Sequence, residues 1–247
     1  MHGWDIMGLV ILVQPSAHST SSAAVAMNMN LNKALVMTNQ ERQQIFKLAL
    51  LGAIRGDRLE ALFGVALALG LRQSEALGLR WSDVDLEEGS LSIQRIIQRV
   101  NSEYRFFDPK TPRSRRTLAR PGPIITTLRS HHSRQLEERL WMGGACEGAA
   151  RGYLVFSDEF GEPLSGDHVT RRFQRLVRLA GLPPMRYHDL RHGAASLMAA
   201  QGAPVRVAME ILGHAQISTT MNIYAHIVPE LQREALDKVS ASLWAIA

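Results

Sequence analysis

Three segments of the sequence carry side chains that could bind an anion or move a proton. His188 and Arg191 lie three residues apart in His-Asp-Leu-Arg-His, so on a helix both can project from one face towards one ligand. In Leu-Gly-His, a glycine ends a helix and exposes His214 at its tip. Arg72 stands just past another predicted helix end, with Glu75 three residues on. Guanidinium groups hold phosphate or carboxylate oxygens and imidazoles transfer protons, so these segments predict anion binding with acid–base chemistry.

The same histidines allow a rival interpretation as metal ligands. His188 and His192 lie four residues apart, and with Asp189 they superficially resemble the His-Glu-x-x-His motif of zinc proteases. Asp189 is one methylene shorter than the glutamate base of that motif, and Arg191 would place a cation beside the metal. The sequence therefore disfavours a zinc site, and we predict neither a metal nor a small-molecule cofactor.

Composition narrows the function classes further. The chain has 247 residues, a formal charge of +5 and one cysteine, Cys146, which excludes a disulfide framework and a cysteine-built zinc site. No apolar run approaches the roughly 20 residues of a membrane span, and the short run at 6–13 makes a poor signal peptide. These features predict a cytoplasmic protein with no membrane partner. Only four of the 28 Lys and Arg residues are lysines, and arginine forks suit phosphate oxygens.

The basic residues are concentrated in two places. Between positions 95 and 120, eight of them face only Glu103 and Asp108: Arg95, Arg99, Arg105, Lys110, Arg113, Arg115, Arg116 and Arg120. Four more occupy one predicted helix: Arg171, Arg172, Arg175 and Arg178. The clusters predict a surface that follows nucleic-acid phosphates, whereas any single arginine could equally lie on an ordinary solvated face.

The elements that must position these side chains are mostly helices. Residues 1–37 have no regular period and are predicted to be poorly ordered or a remnant, and 38–247 to form one domain. Capping boxes at Thr38–Glu41 and Asp57–Glu60 predict two helices, the second ending at Gly70. Further helices are predicted at 123–143, 167–180, 187–201 and 205–212, around 221 and after 229. Three short strands at 90–118 and a possible fourth at 153–156 complete a mainly α fold with one small antiparallel sheet.

The chain resembles the catalytic domain of the tyrosine recombinases, the phage integrase family, from about Thr38 to its end. The resemblance rests on one ordered set of residues: Arg72, Lys110, His188-x-x-Arg191, Gly213-His214 and Tyr224. The sequences around these residues are also similar to the family: Gly-Leu-Arg-Gln-Ser-Glu-Ala-Leu-Gly-Leu-Arg-Trp-Ser-Asp-Val-Asp from position 70 and Pro-Lys-Thr at 109–111. Gly193, where a threonine is common, and Leu69, where another is usual, depart from the pattern without removing a charge.

The resemblance implies breakage of a DNA phosphodiester by a protein nucleophile. Tyr224 would attack the scissile phosphorus and form a 3′-phosphotyrosyl link, while Arg72 and Arg191 hold the non-bridging oxygens. Tyr104, Tyr153 and Tyr187 lack the upstream Gly-His pair, which leaves Tyr224 as the candidate nucleophile.

Three further side chains would handle protons in the implied reaction. Lys110, on a turn, would protonate the leaving 5′-oxygen, His188 would accept the tyrosyl proton, and His214 would donate a hydrogen bond to the phosphate. Glu75 would only hold Arg72 in place. A new 5′-hydroxyl could reseal the strand, so the resemblance implies a DNA integrase or recombinase that needs no ATP.

Two alternatives remain open at the level of sequence. Basic surface alone would suit a non-catalytic DNA-binding module, and type IB topoisomerases use a similar site, although their size and flanking words fit less well. Family members carry a helical core-binding domain before the catalytic one, and the 37 residues before Thr38 are too few to supply it. We therefore expect weak, salt-sensitive binding of double-stranded DNA, in the range of about 10⁻⁴ to 10⁻⁶ M.

A final amphipathic segment suggests a protein partner. From Pro229 to the end, the side chains of Leu231, Ala235, Leu236, Val239 and Leu243 form one apolar stripe. The stripe could pack on its own domain. In the family such tails often dock on a neighbouring protomer, which would link the subunits of a synaptic tetramer on DNA.

Overall fold

The computed structural model describes residues 39–109, 111, 114–119, 122–143, 152–214, 216–224, 236–237 and 239–244. The sequence predictions for residues 1–37, for the Thr38 capping box and for Lys110 lie outside these ranges. Within them, no helix is long and apolar enough to cross a membrane.

Eight helices of the described ranges carry most of the fold, and the sequence predicts all of them except the short one at Gln73–Leu77. They are α1 (Asn39–Ile54), α2 (Glu60–Leu69), α3 (Gln73–Leu77), α4 (Gly122–Met142), α5 (Gly166–Leu179), α6 (Tyr187–Ala200), α7 (Val205–Leu212) and α8 (Ile217–Tyr224). Residues 236, 237 and 239–244 are also helical.

Helix α2 lies at the centre of the core because its sequence is apolar on every side. It packs against α1, α4 and α6, with Leu62 and Phe63 fully buried. The predicted capping box from Asp57 to Glu60 is wrong, because the helix starts at Glu60 and these two carboxylates accept other amides. The Asp57 carboxylate accepts the amide of Leu59 at 2.9 Å, and the Glu60 carboxylate accepts the amide of Gly56 at 2.7 Å. Residues 57–59 form a turn, so the helix begins only at Glu60.

The strands form two small sheets where the sequence predicts one. Strands β1 (Val84–Asp85), β2 (Ser90–Ile93) and β5 (Arg116–Ala119) pair antiparallel in the order β1-β2-β5. Strands β3 (Ile96–Val100) and β4 (Glu103–Phe107) pair only with each other. The separation is physical, since β3 and β4 form a self-contained ribbon closed by Asn101 and Ser102, both at positive φ.

The apolar run at 153–156 does not form a strand, although Leu154, Val155 and Phe156 are buried and only Tyr153 is exposed. Leu154 makes an isolated bridge to Arg80, and the amide of Val155 donates to the carbonyl of Leu79. Tyr153 has a positive φ of 51°, which interrupts extended pairing at this point. Buried on α4 beside this run, His131 hydrogen-bonds the carbonyl of Val155 through Nε2 at 2.7 Å, and burial lowers the pKa of His131 to about 4.

The last three helices of the core bring the candidate residues together. Helix α6 packs along α2 and contacts both α7 and α8, so residues distant in sequence share one region. Between α6 and α7, the amide of Ala203 donates to the carbonyl of Met198, which closes a tight turn through Gly202 at positive φ.

Candidate active site at the C-terminus of helix α7

The Leu-Gly-His segment ends α7 in a Schellman motif. Gly213 adopts the left-handed conformation at φ 65°, its amide donates to the carbonyl of Glu210, and the amide of His214 donates to the carbonyl of Met209. The left-handed residue turns the chain away from the helix axis, which places the His214 side chain beside the helix end.

Three arginines from distant parts of the chain bind the carbonyls at the end of α7. Arg116 donates Nε to the carbonyl of Ile211 at 2.6 Å, and Arg191 donates Nη2 to the carbonyl of Leu212 at 2.6 Å. Arg72 donates Nη2 to the carbonyl of Gly213 at 3.3 Å. These carbonyls have no partner inside the helix and carry its negative dipole end, so they attract cations. The helix terminus therefore gathers side chains that are far apart in the sequence.

Glu75 is the one carboxylate among these arginines in the described part of the chain. Its Oε1 accepts Nη1 of Arg72 at 2.6 Å, and its Oε2 accepts Nη2 of Arg116 at 3.1 Å and the backbone amide of Arg72 at 3.0 Å. Burial by itself would raise the pKa of Glu75, but the charges of Arg116 and Arg72 lower it below its ordinary value. With Arg191, three guanidinium groups face one carboxylate, so two positive charges are uncompensated.

Arg191 is buried and fixed by backbone carbonyls. Its Nη1 donates to the carbonyl of Gly70 at 2.6 Å, in addition to the bond to Leu212. Burial and the neighbouring charge of Arg72 lower the pKa of Arg191 to about 9, which leaves it cationic at neutral pH. Arg72 is the more open of the two, with 38% of its side chain exposed.

His214 is held beside these cations in its neutral form. Its Nδ1 lies 2.8 Å from the hydroxyl of Thr220, which is fully buried at the start of α8. Burial, then the charges of Arg191 and Arg72, lower the pKa of His214 to about 4. An uncharged imidazole can offer a single N–H to an anion without adding a third positive charge.

His188 lies on α6, one turn before Arg191, with its side chain exposed. Its ring stacks edge-on against His192, with 5.0 Å between ring centroids. Burial, His192 and Arg191 together lower the pKa of His188 below its ordinary value. Among the described residues, no group of three His, Cys, Asp or Glu side chains could hold a metal.

Tyr224 ends α8 with its ring buried against α6 and α7. It packs with Ala199 and Ala208, and its hydroxyl donates to the carbonyl of Ala203 at 3.0 Å. Burial raises the pKa of Tyr224. The phenol is therefore bound to the turn that precedes α7, whereas Arg72, Arg116 and Arg191 lie at the opposite, C-terminal end of α7.

The structure changes the interpretation of the basic cluster at 95–120. Arg116 is only 7% exposed, and Arg95 pairs with the buried carboxylate of Asp83, so neither is a free surface cation. Arg105 and Arg115 are exposed in ion pairs with Glu103 and Asp108. Lys110, Arg113 and Arg120 lie outside the described residues.

Sequence reasoning missed two residues that hold the site together. Arg116 was counted only as a surface cation, and Thr220, which fixes His214, was not considered. The Leu-Gly-His motif gives a partial signal for Thr220, since it lies six residues after His214 at the start of the next helix. No local pattern identifies Arg116, because its partner Glu75 is 41 residues away.

The sequence profile of the phage integrase family matches residues 35–230. The chain belongs to the phage integrase family. Among its relatives, a XerC-like tyrosine recombinase of Caldanaerobacter subterraneus subsp. tengcongensis is 36% identical over 198 residues, which cover 76% of this chain and 50% of that protein. The tyrosine recombinase XerA of Pyrococcus furiosus is 26% identical over 83% of this chain and 61% of its own length. The chain thus spans about half the length of the first curated relatives it matches.

Two solved structures share the fold of this chain. The Tn1549 transposon integrase, in complex with transposon right end DNA, superposes with a TM-score of 0.65 at 22% identity, covering 87% of this chain and 71% of that one. The XerA recombinase superposes with a TM-score of 0.59 at 23% identity, covering 82% of this chain and 64% of that one. The predicted fold class, mainly α with a small antiparallel sheet, is confirmed, with two such sheets in place of the one predicted.

Proposed function

We propose that this integrase-family chain breaks and rejoins DNA strands through a covalent 3′-phosphotyrosyl intermediate, as a site-specific recombinase. The convergence of Arg72, Arg191 and His214 on the end of α7 carries the proposal. Two uncompensated guanidinium charges and one neutral imidazole suit a phosphate that gains negative charge in its transition state. A DNA substrate would place the protein in the cytoplasm, on the nucleoid while bound.

In the proposed cleavage step, the Tyr224 hydroxyl oxygen bonds to the scissile phosphorus and the bond from phosphorus to the 5′-oxygen breaks. The phenol must first release the carbonyl of Ala203, because its proton is bound there. His188 takes that proton, because burial and the neighbouring His192 and Arg191 lower its pKa and so favour the neutral ring that can accept one. Lys110 gives a proton to the leaving 5′-oxygen. The later attack of a 5′-hydroxyl reverses each transfer, so no external energy source is consumed.

His214 would donate a hydrogen bond to the phosphate through Nε2. The Thr220 hydroxyl can donate to Nδ1, and this selects the tautomer that carries its proton on Nε2. The lowered pKa of His214 keeps that arrangement across the neutral range.

The exposed arginines of α5 would follow the DNA backbone. Arg171, Arg175 and Arg178 are exposed at helical spacings of four and three residues, so they form one stripe along the helix. Arg172 is turned to Asp57, with which it pairs at 2.8 Å. Contacts from such a stripe position a protein on DNA without reading its sequence.

The C-terminal helical segment would join protomers in a synaptic tetramer. Leu236, Val239, Leu243 and Trp244 are all more than half exposed, so the part of the apolar stripe that the structure describes is uncovered. Replacing the first three by serine is expected to leave the protein monomeric on DNA in sedimentation velocity runs in which the parent assembles. Equal assembly by the variant would contradict this part of the proposal.

Covalent capture tests the strand-transfer function without knowledge of the target sequence. The protein is incubated with a pool of duplexes that have randomised sequence around a fixed nick, so that cleavage near the nick releases a short fragment and traps the adduct. Protein is then isolated under denaturing conditions and the attached DNA is sequenced. We expect an enriched sequence, linked through its 3′ end to Tyr224.

Two tyrosine variants complete the capture experiment. Tyr224→Phe removes only the nucleophilic oxygen, so it should bind duplex like the parent and yield no adduct. Tyr187→Phe is the matched control, because Tyr187 is also buried but its hydroxyl makes no hydrogen bond among the described residues, and this variant should retain the adduct. A parent protein that binds DNA and forms no adduct would instead identify a non-catalytic binding module.

A further inference from the structure

Arg116 is buried at the α7 terminus, whereas Arg72 is partly exposed there. Every nitrogen of its guanidinium has an acceptor: Nε binds the carbonyl of Ile211 at 2.6 Å, Nη1 the carbonyl of Ser114 at 3.1 Å, and Nη2 the carboxylate of Glu75 at 3.1 Å. Arg116 therefore has no open edge with which to bind a ligand, unlike the partly exposed Arg72.

The position of Arg116 determines what charge Arg72 presents. If Glu75 were paired with Arg72 alone, its negative charge, 2.6 Å from the guanidinium, would offset most of the field that Arg72 exerts on an anion. Glu75 is only 1% exposed, so solvent screens its charge little. Arg116 reaches the same carboxylate from β5 and neutralises that charge. Arg72 then faces its ligand with an effectively full positive charge, while Glu75 still holds its backbone amide and Nη1.

Arg116 also joins the pieces of the site mechanically. Arg116 lies on β5. Its guanidinium donates to the carbonyl of Ile211 at the C-terminus of α7 and to the carboxylate of Glu75 on α3. The strand therefore cannot shift against α7 without moving Glu75, and through it Arg72.

We propose that Arg116 is a positioning residue for strand cleavage, which neutralises Glu75 and fixes Arg72 so that this guanidinium can hold the scissile phosphate. The proposal rests on the strand-transfer function proposed above. Arg116 itself touches neither DNA nor the reacting atoms.

The test compares three variants on a nicked duplex recovered by covalent capture. Arg116→Met should lower the cleavage rate by about 10- to 100-fold, the range in which outer partners of charged site groups act in metal centres. Arg116→Lys should recover part of the rate, since it restores one charge but cannot reach three acceptors. The double variant Arg116→Met/Glu75→Gln should cleave faster than Arg116→Met, because removing the carboxylate restores the charge of Arg72.

Two comparisons separate this role from a loss of folding. Replacing the scissile phosphate by an uncharged methylphosphonate removes the charge that Arg72 would hold, so the defect of Arg116→Met should shrink on that substrate. A merely structural defect would be equal on both. Arg58→Met serves as the control, since Arg58 also binds one carboxylate and one carbonyl, those of Glu138 and Ser157, away from the site. It should cleave at the parent rate.

A binding measurement decides the same point without cleavage. Inorganic phosphate is titrated while the side-chain Nε–H signals of Arg72 and Arg191 are followed by NMR. Phosphate affinity should fall in Arg116→Met and return in the double variant. If the parent forms no adduct, the proposed strand-transfer function is wrong. The phosphate titration alone then decides whether Arg116 supports anion binding. Parent-like cleavage or phosphate affinity in Arg116→Met, or a double variant no better than the single one, would overturn the proposal.

Discussion

Replacing Gly70 by alanine should disturb the candidate site through packing alone. Gly70 caps the end of α2 at φ 62°, a conformation that costs an L-residue about 1 to 2 kcal/mol. A Cβ atom at this position would lie 2.3 Å from Cδ2 of Leu212 and 3.3 Å from Cβ of Ala194. Leu212 is fully buried and cannot swing aside into solvent. Such overpacking costs about 1 to 3 kcal/mol.

Together these two terms lower the free energy of unfolding by about 2 to 5 kcal/mol. With an m-value of about 2 to 3 kcal/mol/M, the midpoint of urea unfolding should fall by about 1 to 2 M. The displacement also reaches the site, because the carbonyl of Leu212 holds Arg191 at 2.6 Å. Cleavage by the folded variant is therefore expected to fall by about 100-fold, as for a misplacement of about 1 Å.

Gly64→Ala is the matched control on the same helix. A Cβ atom at Gly64 meets nothing within 4 Å, so alanine should raise stability by about 0.5 to 1 kcal/mol through backbone entropy. Urea unfolding followed by circular dichroism measures both variants, and capture kinetics measure cleavage. A Gly70→Ala protein as stable as Gly64→Ala would refute the reasoning, since it would mean that Leu212 can be displaced at no cost.

Three further outcomes are expected. Tyr187→Phe should raise the free energy of unfolding by about 1 kcal/mol, because it removes a buried hydroxyl without a hydrogen-bond partner among the described residues; a loss in urea unfolding would reveal a partner for that hydroxyl. Stability should fall as pH drops from about 6.5 to about 4, because the unfolded chain binds protons at His131 and His214 that the native state, with both pKa values near 4, does not. His131→Gln should make the urea midpoint less dependent on pH across this window, and an unchanged profile would contradict the assignment. Adduct formation should survive excess EDTA, since the charges proposed to act on the phosphate are guanidinium groups; arrest by the chelator and rescue by zinc would reopen the metal interpretation of His188 and His192.

The end of α7 shows how much of the site is readable from local sequence. Leu-Gly-His predicts a helix that stops with a left-handed glycine, and the structure has this feature at Gly213. The predicted exposure of the imidazole is wrong, because His214 is buried beside the arginines and hydrogen-bonded to Thr220. The helix of His188 and Arg191 and the break at Gly70 are likewise found. These features depend on backbone preferences and on neighbours within one or two turns, which the sequence lists side by side.

The partners of the arginines could be learned only from the tertiary structure. A guanidinium binds whichever acceptors the packing brings within reach, and Arg116 meets Glu75 from 41 residues away and the carbonyl of Ile211 from 95 residues away. Arg116 therefore looks like one more surface cation in the sequence and proves to be buried in an ion pair with Glu75. For the same reason, the carbonyl that holds the Tyr224 hydroxyl was not predicted, because it belongs to a turn that packing alone brings to α8. Sequence determined which groups could do the chemistry, and the long-range packing of α2, α6 and α7 decided which of them meet.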